Sequence, residues 1–249
     1  MPTATNRGVS IYYETAGGGD SVAFVPDLGY GAWLWSWQAP AFAGPYRTIV
    51  LDNRGAGRSD SPPDPYTIGA MAADLEAVLA DAGTRKATVV GAGMGGMIAL
   101  QHALSYERAE RLVLLGTAAS GSEMDADAMV GDPDDLDAVL SRGFIDDFPE
   151  AVERIVGWRR EEDADAEAAA AQVDAIEEFD VSDRLYEITV PALVMHGEAD
   201  AVVPIDVGEA LADGLPRGRF ERFRDEPHLF FIEQSRLATD AIAGFLEEE

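Results

Sequence analysis

The chain has no cysteine and a single lysine, Lys86, among its 249 residues. The first absence excludes disulfides, thiolate nucleophiles and cysteine-ligated zinc. The second belongs to a wider shortage of positive charge: 18 Lys and Arg stand against 46 Asp and Glu, for a net charge of −28. Nucleic acid and anionic membranes demand a basic footprint, so neither is an expected partner. No stretch approaches the ~18 consecutive apolar residues of a membrane-spanning helix. Residues 1–8 lack the basic-then-apolar pattern of a secretory signal, and a cytoplasmic location is expected. The three histidines, His102, His196 and His228, show no metal-ligand spacing, so neither a metal nor another cofactor is implied.

What is present is a regular alternation. Apolar, β-branched runs fall at 9–13, 22–25, 48–51, 88–90, 112–115, 192–195 and 220–223, with helical patterns at 68–82, 94–106, 207–215 and 229–246. Strands alternating with helices predict an α/β protein whose mostly parallel, twisted sheet carries helices on both faces. The first two runs, joined through Gly17-Gly18-Gly19-Asp20, suggest an antiparallel hairpin at the sheet edge. Residues 121–188 depart from the alternation; acidic, alanine-rich and helical in pattern, they are expected to form a lid inserted into a core made of 1–120 and 189–249.

The most informative segment is Val90-Gly91-Ala92-Gly93-Met94-Gly95-Gly96, a buried strand running through a glycine corner into a helix. That is the layout of the nucleophile elbow, G-x-S-x-G, in which a tight turn lifts a serine hydroxyl above the sheet. Here the central position is Gly93, and the attacking oxygen is missing. Three further segments occur in matching order: Asp52-Asn53-Arg54-Gly55-Ala56-Gly57-Arg58-Ser59, His196-Gly197-Glu198-Ala199-Asp200, and His228-Leu229-Phe230-Phe231. With the elbow, they make the chain similar to the α/β-hydrolase superfamily, in its ester and lactone hydrolase-like branch, over nearly all of its length.

The resemblance implies roles. Asp200 would orient His228, which would act as the base. The backbone N–H groups of Leu28 and Met94 would form the oxyanion hole. His196 reads as a structural core residue, and His102, within a helical pattern, as part of a solvated face. Pro26-Asp27 stands where many relatives carry His-Gly. Asp27 would oppose a developing oxyanion or pair with His228; the reading preferred on sequence is that its side chain turns to solvent or caps the following turn. Trp33, Phe144 and Trp158 are candidates to line an apolar pocket under the lid.

A site without the serine admits several functions, which the sequence leaves open. His228, oriented by Asp200, could activate water in the space beside Gly93 and act on a small apolar carbonyl compound. The chain could instead bind such a compound or a partner without turnover, as in the N-myc-downstream-regulated branch that shares the glycine. It could also be an engineered Ser-to-Gly hydrolase, although such a change alone leaves Pro26-Asp27 unexplained. Ser120 is a candidate relocated nucleophile. Oligomeric state is not legible.

The near-elimination of lysine with distributed carboxylates points to a halophilic, haloarchaeal protein whose medium screens its self-repulsion. The Debye length falls from ~30 Å at 0.01 M salt to ~3 Å at 1 M. Thermal unfolding is therefore expected to shift upward by many degrees between 0.05 and 2 M KCl. Sucrose, which favours burial without screening charge, should reproduce only part of the rise. A midpoint that hardly moves with KCl would remove the halophile reading.

Overall fold

The computed structural model describes residues 2–63 and 65–248. The chain opens with β1 (Thr3–Asn6), β2 (Val9–Gly17) and β3 (Ser21–Val25). A 3-10 turn at Ala32–Trp35 and the short α1 (Ala39–Phe42) lead to β4 (Arg47–Leu51). Alternation follows through α2 (Ile68–Asp81), β5 (Ala87–Ala92), α3 (Met94–Ser105) and β6 (Ala109–Leu115). The chain then leaves the sheet for α4 (Arg142–Asp147), α5 (Pro149–Glu162) and α6 (Ala166–Glu177). It returns with β7 (Ala192–Gly197), α7 (Ile205–Gly214), β8 (Gly218–Phe223), α8 (Phe230–Glu233) and α9 (Ser235–Leu246).

The eight strands form one sheet in the order β1-β2-β4-β3-β5-β6-β7-β8. Strand β2 is antiparallel to both β1 and β4, and the remaining pairs are parallel. Strands β5 and β7 are buried along their whole length, as expected where helices cover both faces and the strand reads as a continuous apolar run. Among the described residues, no helix is long and apolar enough to cross a membrane.

Two expectations fail here. The runs at 9–13 and 22–25 do not form a hairpin: β2 pairs with β4, Tyr13 opposite Leu51, and β4 lies between β2 and β3. The apolar β3, buried over Val22–Val25, takes parallel partners on both edges, β4 and β5. The glycine-rich link carries the chain across β4 instead of folding it back, with Arg47 N donating to Asp20 O at 2.8 Å. His102 is not on a solvated face either. It is fully buried where α3 packs on α2, with Nε2 3.1 Å from Glu76 Oε2. Burial depresses its pKa despite the Glu76 carboxylate.

A buried ion pair ties the loop after β4 to helix α2. Arg54 donates Nε to Asp74 Oδ2 at 2.7 Å and Nη2 to Asp74 Oδ1 at 2.8 Å, and Asn6 Nδ2 from β1 donates to Asp74 Oδ1 at 2.8 Å. Removing one partner of a buried pair strands the other charge and typically costs about 3–5 kcal/mol. Asp74→Ala is therefore expected to lose stability on that scale in urea unfolding at fixed salt. Arg54→Met added to Asp74→Ala should recover part of the loss, because no orphaned cation remains.

Candidate active site

The site is built where β3, β5, β6 and β7 end. After β5 the chain turns at Gly93, with φ 46° and ψ −115°, and enters α3 at Met94. Side chains resist that backbone region and glycine does not. The turn is pinned by Gly93 N donating to Leu115 O at 2.9 Å and Thr117 Oγ1 donating to Gly93 O at 2.6 Å. At the second residue of α3, a Cβ on Gly95 would lie 2.2 Å from Val25 O, so only glycine lets the helix approach the end of β3 this closely.

The loop after β3 is fixed by the Asp52–Ser59 segment. Buried Asp52 accepts from Ala32 N at 2.6 Å through Oδ1 and from Arg58 N at 3.0 Å through Oδ2. Asn53 Nδ2 donates to Pro26 O at 2.9 Å. From α6, Gln172 accepts from Gly29 N at 2.7 Å and donates Nε2 to Arg54 O at 2.9 Å. Gln172 is fully buried, and sequence inspection passes over it. Its signal is a lone glutamine among alanines on the buried face of a helix, which is meaningful only once α6 is docked.

This framework delivers Asp27 into the centre of the site. Oδ1 accepts two backbone N–H groups, Leu28 at 2.6 Å and Met94 at 2.7 Å. Oδ2 lies 2.9 Å from His228 Nε2, and His228 Nδ1 lies 2.8 Å from Asp200 Oδ2. Asp27 is 0% exposed and His228 1%. The preferred reading, that Asp27 turns to solvent or caps the following turn, gives way to the alternative of a pairing with His228. Its carboxylate points inward because two N–H donors, the positive end of α3 and an imidazole together solvate it better than the apolar surroundings could. It sits where a side chain at 93 would begin: a Cβ on Gly93 would fall 1.9 Å from Asp27 Oδ1.

Asp200 is held by its own turn, accepting from Val202 N at 2.8 Å and Val203 N at 2.9 Å through Oδ1. His196, fully buried, approaches Val203 O at 2.8 Å and Asp200 Oδ2 at 3.3 Å through Nε2. Burial alone would raise the Asp200 pKa, but the His228 charge and the hydrogen bonds from His196 and His228 hold it well below the ordinary carboxylate range. For His228, burial opposes the charged ring, yet the Asp200 charge and the hydrogen bonds to Asp200 and Asp27 prevail and push its pKa up to about 10. At neutral pH His228 is an imidazolium donating from both nitrogens.

The structure thus brings Gly93, Met94, Leu28, Asp27, His228 and Asp200 together. The aromatic candidates lie elsewhere. Trp33 and Trp158 stack at 5.8 Å and line a cavity of about 500 Å³ with Trp35, none of whose walls come from Gly93, Asp27, Asp200 or His228. Phe144 stacks on Phe148 at 5.1 Å and is not part of that cavity's wall. Ser120 Oγ is engaged with Ser122 Oγ at 2.9 Å. Among the described residues, no group of three or more His, Asp or Glu side chains is arranged to hold a metal ion.

A largely parallel sheet, a glycine turn into a helix at the end of its central strand, and an acid and histidine delivered from later strand ends define a hydrolase-type α/β fold. The chain belongs to the α/β-hydrolase fold family, whose model matches residues 20–164. It is 29% identical to 3-oxoadipate enol-lactonase 2 of Acinetobacter baylyi over 98% of this chain and 96% of that protein. It is 32% identical to a putative carbamate hydrolase, RutD, of Variovorax paradoxus over 82% of this chain and 84% of that protein. Among solved structures it resembles the enol-lactonase from Burkholderia xenovorans, with a TM-score of 0.88 at 25% identity over 99% and 100% of the two chains. It likewise resembles Est816, described as an N-acyl homoserine lactone degrading enzyme, with a TM-score of 0.85 at 28% identity over 98% and 100%.

The His228 charge makes a pH prediction. A pKa raised from 6.5 to about 10 on folding contributes stability that is complete below about pH 6.5 and is lost as pH rises through about 10. NMR of the imidazole, assigned with His228→Gln, should show His228 still protonated at pH 8. In Asp27→Asn the amide N–H₂ faces Nε2 and favours the neutral ring, so its pKa should fall by more than one unit. A His228 that titrates near 6.5 in the wild type would contradict the doubly paired imidazolium.

Proposed function

We propose that this protein binds a small, apolar, carbonyl-bearing compound of the lactone or ester class and carries out no covalent acyl transfer. The observation that carries this reading is the Asp27 carboxylate, with one oxygen between the N–H groups of Leu28 and Met94 and the other on His228. Those two donors suit the oxyanion of an acyl-transfer intermediate. Here an internal carboxylate consumes both, along with the imidazole that would take the proton, and Gly93 offers no nucleophile. On this reading residues 121–188 are a lid over a core of 1–120 and 189–249. Supporting it are the placement of α4–α6 between β6 and β7 and two ties from that segment to the His228 region. Leu229 N donates to Val139 O at 3.0 Å, and Ser141 Oγ donates to Glu233 Oε2 at 2.6 Å.

Water activation by His228 fits less well, because an imidazolium that donates from both nitrogens has no lone pair for a water proton. A simple Ser-to-Gly knockout fits poorly as well. Glycine at 93 and aspartate at 27 are sterically matched, since any Cβ at 93 collides with the carboxylate. The substrate class comes from the relatives, whose names describe lactonases and a carbamate hydrolase.

The experiment is a reconstruction. The wild type should hydrolyse p-nitrophenyl acetate no faster than buffer and show no burst. Gly93→Ser alone should destabilise the protein and remain inactive, because its Cβ overlaps Asp27. The double variant Asp27→Gly, Gly93→Ser should gain an acyl-enzyme burst and at least about a hundredfold rate over buffer, lost again on adding His228→Ala. A burst from the wild type would overturn the proposal and direct the search to Ser120.

A further inference from the structure

We propose that Gln172 is the positioning residue for the Asp27 carboxylate, so that the centre stays filled only while α6 is docked and the Leu28 and Met94 N–H groups come free when it lifts. The proposal concerns the regulation of the site described above. It rests on the binding reading for what an opened centre would receive, and the coupling itself is tested without a ligand.

Asp27 stands first in a four-residue turn, closed by Tyr30 N donating to Asp27 O at 3.3 Å. The third residue, Gly29, has φ 78°, which glycine adopts without strain. The N–H at that position is not used inside the turn and has to find a partner elsewhere. It donates to Gln172 Oε1 at 2.7 Å. The Gly29 carbonyl is met from the same segment, by Ala164 N at 2.7 Å. Both backbone polar groups of Gly29 are therefore tied to residues 121–188, and with them the orientation of the peptide that joins Leu28 to Gly29.

The glutamine is bound at both of its polar atoms. Its Nε2 donates to Arg54 O at 2.9 Å, so one amide spans from the loop after β3 to the loop after β4. Helix α6 carries it there on a face of small and apolar residues, where Ala168, Ala169, Val173 and Ile176 are buried beside it. A Cβ on Gly55 would lie 2.8 Å from Ala168 Cβ, so the helix sits against the loop after β4 as closely as two small residues allow. A fully buried amide is tolerated only where its donor and acceptor are both used. Here both go to the backbone that surrounds Asp27.

The seat of Asp27 depends on that backbone. Its Oδ1 meets Leu28 N from its own turn and Met94 N from the start of α3, at 2.6 Å and 2.7 Å. Such bonds weaken steeply as donor and acceptor fall out of line, so a turn released from α6 also releases the carboxylate.

The test is hydrogen exchange followed by NMR in the full chain at fixed salt. In the wild type, the Leu28 and Met94 amides should open with the same equilibrium as α6, as one cooperative unit, and well before Val89 in β5. Gln172→Met keeps the length of the side chain and removes both polar atoms. It should speed exchange at Leu28 and Met94 by at least about tenfold relative to Val89, the ratio that an ordinary lost hydrogen bond gives. The Nε2–H of His228, held by Asp27, should exchange faster in the same variant, whereas the Nδ1–H, held by Asp200, should not. Val173→Ala, which trims the packing of α6 and leaves Gln172 in place, should speed α6, Leu28 and Met94 by one common factor. Leu28 and Met94 still protected where α6 has exchanged would overturn the coupling, as would an acceleration shared equally by Val89 and both ring N–H groups of His228. Should Gln172→Met fail to fold, the wild-type comparison and Val173→Ala decide the matter. An acyl-enzyme burst from the wild type would defeat the non-covalent reading alone, leaving the coupling to be judged by these measurements.

Discussion

The Asp27 carboxylate is the interaction around which the site is organised. It is an anion in an apolar interior, tolerable only because two backbone N–H groups, a helix N-terminus and an imidazolium surround it. Each neighbour is constrained in turn. His228 is charged because it lies between two carboxylates. Gly93 has to be glycine because any β-carbon would occupy the same volume. Leu28 and Met94 contribute through backbone geometry, so the turns that hold them matter more than their side chains.

Those turns depend on polar groups spread over the fold. Asp52 and Asn53 fasten the loop after β3 from one side, and Gln172 reaches it from the helical segment on the other. The Arg54–Asp74 pair anchors the same turn to α2 and, through Asn6, to the sheet edge. In a chain with so few basic residues, one arginine is committed to a buried, bidentate pair at this turn. The hydrolase scaffold is maintained in detail around a centre that its own side chain fills.

With Asp27 in place, the two backbone donors and the imidazole at this centre are all engaged by the chain itself. The loop that carries Asp27 also carries Tyr30, whose buried hydroxyl has no hydrogen-bond partner.

Much was legible in the sequence because it is written in local patterns. Continuous apolar runs marked β5 and β7, helical spacing marked α2 and α9, and glycines marked the turn at 93. The missing serine and the order of Asp200 before His228 could be read in the same way. The tertiary structure alone decided where side chains point between distant segments. Asp27 meets Met94 across 67 residues and His228 across 201, and no periodicity reports such a meeting. The same limit hid the burial of His102 against α2, the insertion of β4 between β2 and β3, and the role of Gln172. Composition and spacing record which face of an element is apolar. Whether a polar group on that face finds a partner, as Asp27 does and the Tyr30 hydroxyl does not, is decided only when the elements dock.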